Sequence, residues 1–150
     1  MLATRMRTGG LRNELYIYED GDEFIPVSGG WYKSAGAGTL TKEATYLKLY
    51  AIDGQGISVT HYTAVNRYRY TKLSVRVAGA MTSSTFSIYG VSSDESTTVE
   101  LAEFVESFGI DTYVIDIASY AWVQKVLFIG QTIGAGSTLT CSVHQVFFTP

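Results

Sequence analysis

The chain has 150 residues, of which 46% are hydrophobic and 17% charged, with a formal net charge of -3. That length suits one core rather than two, and the apolar share excludes a disordered chain. A single cysteine, Cys141, excludes an internal disulfide scaffold. The opening MLATRMRTGG has no apolar stretch of the signal-peptide type, and no run approaches the ~18 apolar residues of a membrane helix. Synthesis in a cytoplasm and no membrane partner are therefore expected. Arg67, Arg69, Lys72 and Arg76 are basic but spread out, too thin a footprint for nucleic acid.

Residues 1–13 read as a flexible N-terminal arm carrying Arg5, Arg7 and Arg12, and residues 14–150 as one domain. Leu15 and Ile17 alternate with Tyr16 and Tyr18, as in a half-buried strand. A turn follows through Glu19-Asp20-Gly21-Asp22-Glu23. A short strand at Phe24 to Val27 is confined to an edge or bend by Pro26. Trp31-Tyr32 opens another extended piece, and Ser34 to Gly38 reads as a loop. Thr45 to Ala51 predicts a central strand, with Leu47, Leu49 and Ala51 on one face and Tyr46, Lys48 and Tyr50 on the other. Asp53-Gly54-Gln55-Gly56 is a hairpin turn, after which Ile57, Val59 and His61 share a face. Leu73, Val75 and Val77 form the next strand, with Gly79 read as its end. Phe86 and Ile88 belong to another.

Val99 to Phe108 carries two patterns. Its first half has β-branched strand character. Leu101, Val105 and Phe108 have helical spacing behind a Thr97-x-x-Glu100 capping box, which leaves room for a short helical turn. Tyr113, Ile115 and Ile117 alternate again. Val126 to Ile129 is continuously apolar, as in a strand covered on both faces. The last strand runs from Thr138 to Phe148, with Leu139, Cys141 and Val143 on one face, and with His144 grouped with Ser142, Val146 and Phe148. About nine to eleven short strands separated by turn signals predict an all-β, two-sheet antiparallel sandwich of jelly-roll-like topology.

Catalytic chemistry finds little to work with. The two histidines, His61 and His144, both lie in strand patterns with no adjacent nucleophile. Cys141 reads as a small buried hydrophobe rather than a reactive thiol. No zinc pattern is present, and Asp20 to Glu23 is too short for a calcium loop. The acids Asp94, Glu95, Glu100, Glu103, Glu106, Asp111 and Asp116 read as a solvated face rather than a glycosidase pair. Catalytic residues, metal and cofactor are each expected to be none. The surplus is aromatic: eleven Tyr, seven Phe and two Trp. Rings beside polar neighbours stack on sugars and anchor protein contacts. Trp31, Tyr32, Tyr62 and Trp122 are the candidate glycan-binding residues, and Arg5, Arg7 and Arg12 the candidate assembly contacts.

The string ELYIYEDGDEFIPVSGGW from Glu14 to Trp31, with Tyr16, Gly21-Asp22-Glu23 and Gly29-Gly30-Trp31, resembles a module recurrent in phage and prophage proteins of Gram-positive hosts. Tyr46-Leu47-Lys48-Leu49, Tyr70 to Val75, Val114 to Tyr120 and Val143 to Phe148 continue the resemblance in order. Such modules look like carbohydrate-binding jelly rolls, and occur in tail, baseplate, fibre or head-surface proteins. The resemblance implies a non-enzymatic virion protein with other virion proteins as partners, a homo-oligomer located in the particle. The alternative expectation is a carbohydrate-binding module that recognises host surface glycans. A start at Met1 without a stalk turns the virion expectation toward an accessory, decoration or baseplate part.

Overall fold

The computed structural model describes residues 5–6, 14–19 and 30–150. Among them there is no helix, and twelve strands form two antiparallel sheets. These strands are β1 (Arg5–Met6), β2 (Leu15–Glu19), β3 (Trp31–Ala35), β4 (Thr39–Lys42), β5 (Leu47–Ile52), β6 (Gly56–His61), β7 (Lys72–Thr82), β8 (Ser84–Val91), β9 (Thr98–Phe104), β10 (Phe108–Asp116), β11 (Lys125–Thr132) and β12 (Thr138–Thr149). The expected all-β sandwich is therefore the observed one. Two residues of the expected arm, Arg5 and Met6, pair with Tyr16 and Leu15 as a short strand. Glu19, read as the start of a turn, ends β2; Arg7, Arg12, the rest of that turn at 20–23 and the strand read at 24–27 lie outside the described residues.

The longest strand, β12, organises the seven-stranded sheet. One of its edges pairs with β7 along its whole length, and β10 adds beyond β7. The other edge is divided. Thr138 to Val143 pair with β5, and Gln145 to Phe148 pair with β2. The five-stranded sheet runs β3-β6-β11-β8-β9. Alternation supplies the core between them: Leu47, Leu49, Leu73, Val75, Val77, Leu139, Cys141 and Val143 from one sheet meet Ile57, Val59, Phe86, Ile88, Val126 and Phe128 from the other, all essentially inaccessible.

A bulge decides which way the end of β12 faces. Val143 sits opposite Val77, but Gln145 sits opposite Arg76, so two residues of β12 answer one of β7. The extra residue resets the alternation. Ser142 and His144 point outward, while Val146 and Phe148 turn into the core. The grouping of His144 with Val146 and Phe148 on one face is thus corrected, because an unbroken period of two cannot cross a bulge.

Val99 to Phe108 is also resolved. Its helical spacing builds no helix. β9 belongs to the five-stranded sheet and β10 to the other, so residues 105–107 are the corner where the chain changes sheets. Phe104 and Phe108 stack across that corner at 4.0 Å, with Phe86 and Tyr113 beside them. Of the three residues at helical spacing, Leu101 and Phe108 pack against the core from different sheets, and Val105 at the corner is exposed. Gly79 does not end its strand either; β7 runs on to Thr82. A Cβ at Gly79 would sit 2.5 Å from Phe108 Cε1 and 3.2 Å from Cys141 Sγ, so glycine serves close approach there. A true turn glycine is Gly54, which follows Asp53 with φ of 86° and 52° respectively, the pair of positive angles that a tight hairpin between β5 and β6 requires.

Candidate functional site

The outward face of the seven-stranded sheet carries a groove of about 550 Å³. Register explains why it is a groove. Tyr50, Thr140 and Ala80 lie in one cross-strand row, and Lys48, Ser142 and Ala78 in the next. Each row descends from a long side chain on β5, through a hydroxyl on β12, to a methyl on β7. Tyr46 and His144 continue the high side, with ring centroids 5.3 Å apart. Phe108 lines the groove beyond Gly79.

Each polar group is held by its neighbours. A tight turn, closed by the Glu43 N–H donating to Tyr46 O at 2.9 Å, joins β4 to β5 and places Tyr46 at the mouth of β5. Lys48 Nζ lies 5.7 Å from the Tyr50 ring centroid, within range of the ring face. His144 Nε2 and Ser142 Oγ are 3.2 Å apart, a hydrogen bond that orients both. Chemically, this is a shallow trough with two tyrosine rings on its high side and ammonium, imidazole and hydroxyl groups along it. Among the described residues that line it there is no carboxylate.

Of the candidate residues read from sequence, only Tyr32 and Tyr62 come together, and they lie away from the groove. Trp31 is 1% exposed, stacked on Phe128 and against His61, with Nε1 donating to Ile17 O at 3.3 Å. Its ring is a core element and offers no face to a ligand. Tyr32 and Tyr62 stack on each other at 4.2 Å on the outward face of the five-stranded sheet, the side of the molecule opposite the groove. Burial, with the nearby Glu95 carboxylate and then Tyr62, raises the Tyr32 pKa. Trp122 lies in the loop at residues 117–124, edge-on to Tyr120 at 5.9 Å. The residues that line the groove (Tyr46, Lys48, His144) were visible only as the polar phase of an alternating strand. The usable signal was a strand whose solvent phase carried two tyrosines around a lysine.

The histidines and acids have other tasks. His61 is fully buried. The Val126 N–H donates to its Nε2 at 3.1 Å, and its Nδ1–H donates to Thr63 O at 2.8 Å. Asp94 accepts from Ser92 Oγ, Ser96 Oγ and the Ser96 N–H, and the Ser96 and Ser92 hydrogen bonds hold its pKa down at about 2. Glu95 pairs with Lys125 at 3.0 Å, Glu100 accepts from Tyr89, and Asp116 accepts from the Ala118 N–H. These carboxylates brace turns and strand neighbours. Among the described residues no cluster of three His, Cys, Asp or Glu is placed to hold a metal.

No family model matches the chain, and no curated relative matches it. Solved structures do. A family 29 carbohydrate binding module superposes with TM-score 0.63 at 13% identity, covering 91% of this chain and 88% of its own. A point variant of such a module, complexed with cellulohexaose, gives TM-score 0.62 at 13% identity over 91% and 90% of the two chains. A family 29 module from Piromyces equi gives 0.57 at 15% over 92% and 91%. This chain therefore has the fold of those modules, a jelly-roll β-sandwich spanning nearly its whole length.

Proposed function

We propose that this protein is a non-catalytic carbohydrate-binding module that holds a glycan chain in the groove of the seven-stranded sheet. The observation that carries the reading is the stepped cross-strand row: Tyr46 and Lys48, with Tyr50 one row on, stand across Thr140 and Ser142 from the small residues Ala78, Gly79 and Ala80. A sugar ring has an apolar face, which packs on tyrosine, and equatorial hydroxyls, which exchange hydrogen bonds with Thr140, Ser142, His144 and Lys48. The lining residues run through successive rows along β5, β12 and β7, which suits a stretch of chain. The shared fold adds support, since variants of those modules are described in complex with cellulohexaose and mannohexaose. A phage-particle setting rests on the ordered motif resemblance and would make the glycan one of the host wall; mass spectrometry of purified particles tests it.

Calorimetric titration with cellohexaose, mannohexaose and purified Gram-positive wall polysaccharide tests the groove. The wild-type chain is expected to bind at least one of them. Tyr46→Ala should lose about tenfold in affinity, the scale of a truncated hot-spot ring. Ala78→Leu, which fills the floor from the solvent side, should lose binding while keeping its melting temperature. Wild-type silence across the panel, or full binding by Ala78→Leu, would remove the proposal.

A further inference from the structure

At one end of the sandwich a second cavity, of about 320 Å³, lies between residues 62–71, which join β6 to β7, and residues 117–124, which join β10 to β11. Arg67 welds the two loops. Its guanidinium donates to four carbonyls: Tyr70 at 2.6 Å, Ile117 at 3.3 Å, and those of Val123 and Tyr120. The backbone adds Val65 N–H to Gln124 O at 2.8 Å and Ile117 N–H to Thr71 O at 2.8 Å. These hydrogen bonds tie the two loops into one frame.

What this frame presents is costly. The Tyr70 N–H closes a turn onto Arg67 O at 2.7 Å, and the two residues at its tip are Tyr68 and Arg69. Tyr68 is 82% exposed, far more than any other large hydrophobic side chain among the described residues. Arg69 has φ of +78°, a left-handed position where glycine is the unstrained choice. Among the described residues no acid pairs with Arg69. A strained cation and a bare ring at the tip of a locked loop serve no packing purpose, and such strain persists where function uses it. Asn66 and Gln124 line the same cavity with amide donors and acceptors.

We infer that this loop end is a second saccharide site, independent of the groove, that takes one acidic sugar unit: Tyr68 stacks on the ring face and Arg69 pairs with a carboxylate or phosphate on the sugar. The size fits, since the cavity falls at the low end of small-molecule sites, which run from ~300 to 1,000 Å³. A groove for chain and an end site for a charged residue would let one module grip a decorated glycan at two points.

The test uses the whole chain, labelled with nitrogen-15, and follows amide shifts on adding glucuronate, galacturonate, N-acetylneuraminate or glucose 6-phosphate. Glucose, galactose, acetate and inorganic phosphate are the controls. Saturable shifts confined to residues 62–71 and 117–124 are expected with at least one acidic sugar, and weaker ones with its neutral partner. Arg69→Gly relieves the backbone strain, so it should melt at or above the wild-type temperature yet lose about fivefold in affinity for the acidic sugar. Tyr68→Ala should lose binding to acidic and neutral sugars alike, and Tyr46→Ala in the groove should leave this site unchanged. No saturable shift with any of the four, or equal shifts with acetate or phosphate alone, overturns the inference and leaves the groove reading standing.

Discussion

Acid is expected to destabilise this protein from its interior, through His61. The ring is fully buried with Trp31 packed on it at 4.9 Å, and both nitrogens are committed: Nε2 accepts from Val126 and Nδ1–H donates to Thr63. A second proton would have to displace the Val126 hydrogen bond. Burial, the largest cause, and the charge of Lys125 outweigh the opposing Thr63 hydrogen bond and lower its pKa from 6.5 to about 3. In the unfolded chain the imidazole takes its proton near 6.5. Between those two values the unfolded state binds more protons, so stability is complete above pH 6.5 and falls as pH drops toward 3. At ~1.4 kcal/mol per pH unit, going from pH 7.5 to pH 5 removes about 2 kcal/mol, and the whole window would remove on the order of 5 kcal/mol. That is a large share of the ~5–15 kcal/mol a domain holds. Asp94 stays ionised throughout the upper part of this window, since its pKa is about 2. Urea unfolding followed by tryptophan fluorescence at pH 7.5, 6 and 5 should show the loss, and His61→Gln, though less stable, should flatten the slope. Equal slopes in the two chains, or an NMR titration of the His61 ring with its midpoint near 6.5, would refute the reasoning.

Further outcomes follow from packing. Gly79→Ala drives a methyl group into the Phe108 ring and should cost about 1–3 kcal/mol by chemical denaturation, while Gly109→Ala, where nothing lies within 4 Å, should be near neutral. Trp31→Ala empties the core between Phe128, His61 and Tyr18, and should cost about 3–5 kcal/mol or prevent folding. Cys141 is inaccessible and burial pushes its thiol up to about 12, so a thiol reagent should react only after unfolding, at a rate that denaturant accelerates. Arg67→Met strips the partner from four carbonyls. It should increase hydrogen exchange in both end loops, the backbone amide of Val65 included, more than in the central strands.

Much of the architecture was legible because β-structure has a short period. Leu47-Leu49-Ala51, Leu73-Val75-Val77 and Leu139-Cys141-Val143 each declare an inward face, and Asp53-Gly54 declares a hairpin. The reading went wrong where a local rule was answered from far away in the chain. Gly79 looked like a stop because its neighbour Phe108 is twenty-nine positions on. His144 looked like a companion of Phe148 because a bulge leaves no mark in composition. Leu101, Val105 and Phe108 looked helical because a chain that changes sheets at residues 105–107 breaks the period of two.

Trp31 makes the same point about the site. Its type suggested a ligand platform, yet only the assembled sandwich places Phe128 and His61 against it and removes it from the surface. Tyr46, Lys48 and His144 are unremarkable in one dimension; register sets them across from alanines contributed by another strand, and the groove exists in that difference of height. The amino-acid sequence by itself determined that this chain is all-β and that its core is aliphatic and aromatic, because those follow from side-chain type and a period of two. Which rings face water, and which small residues lie between them, was decided by the tertiary structure alone, because strand partners and bulges are set by residues distant in the chain.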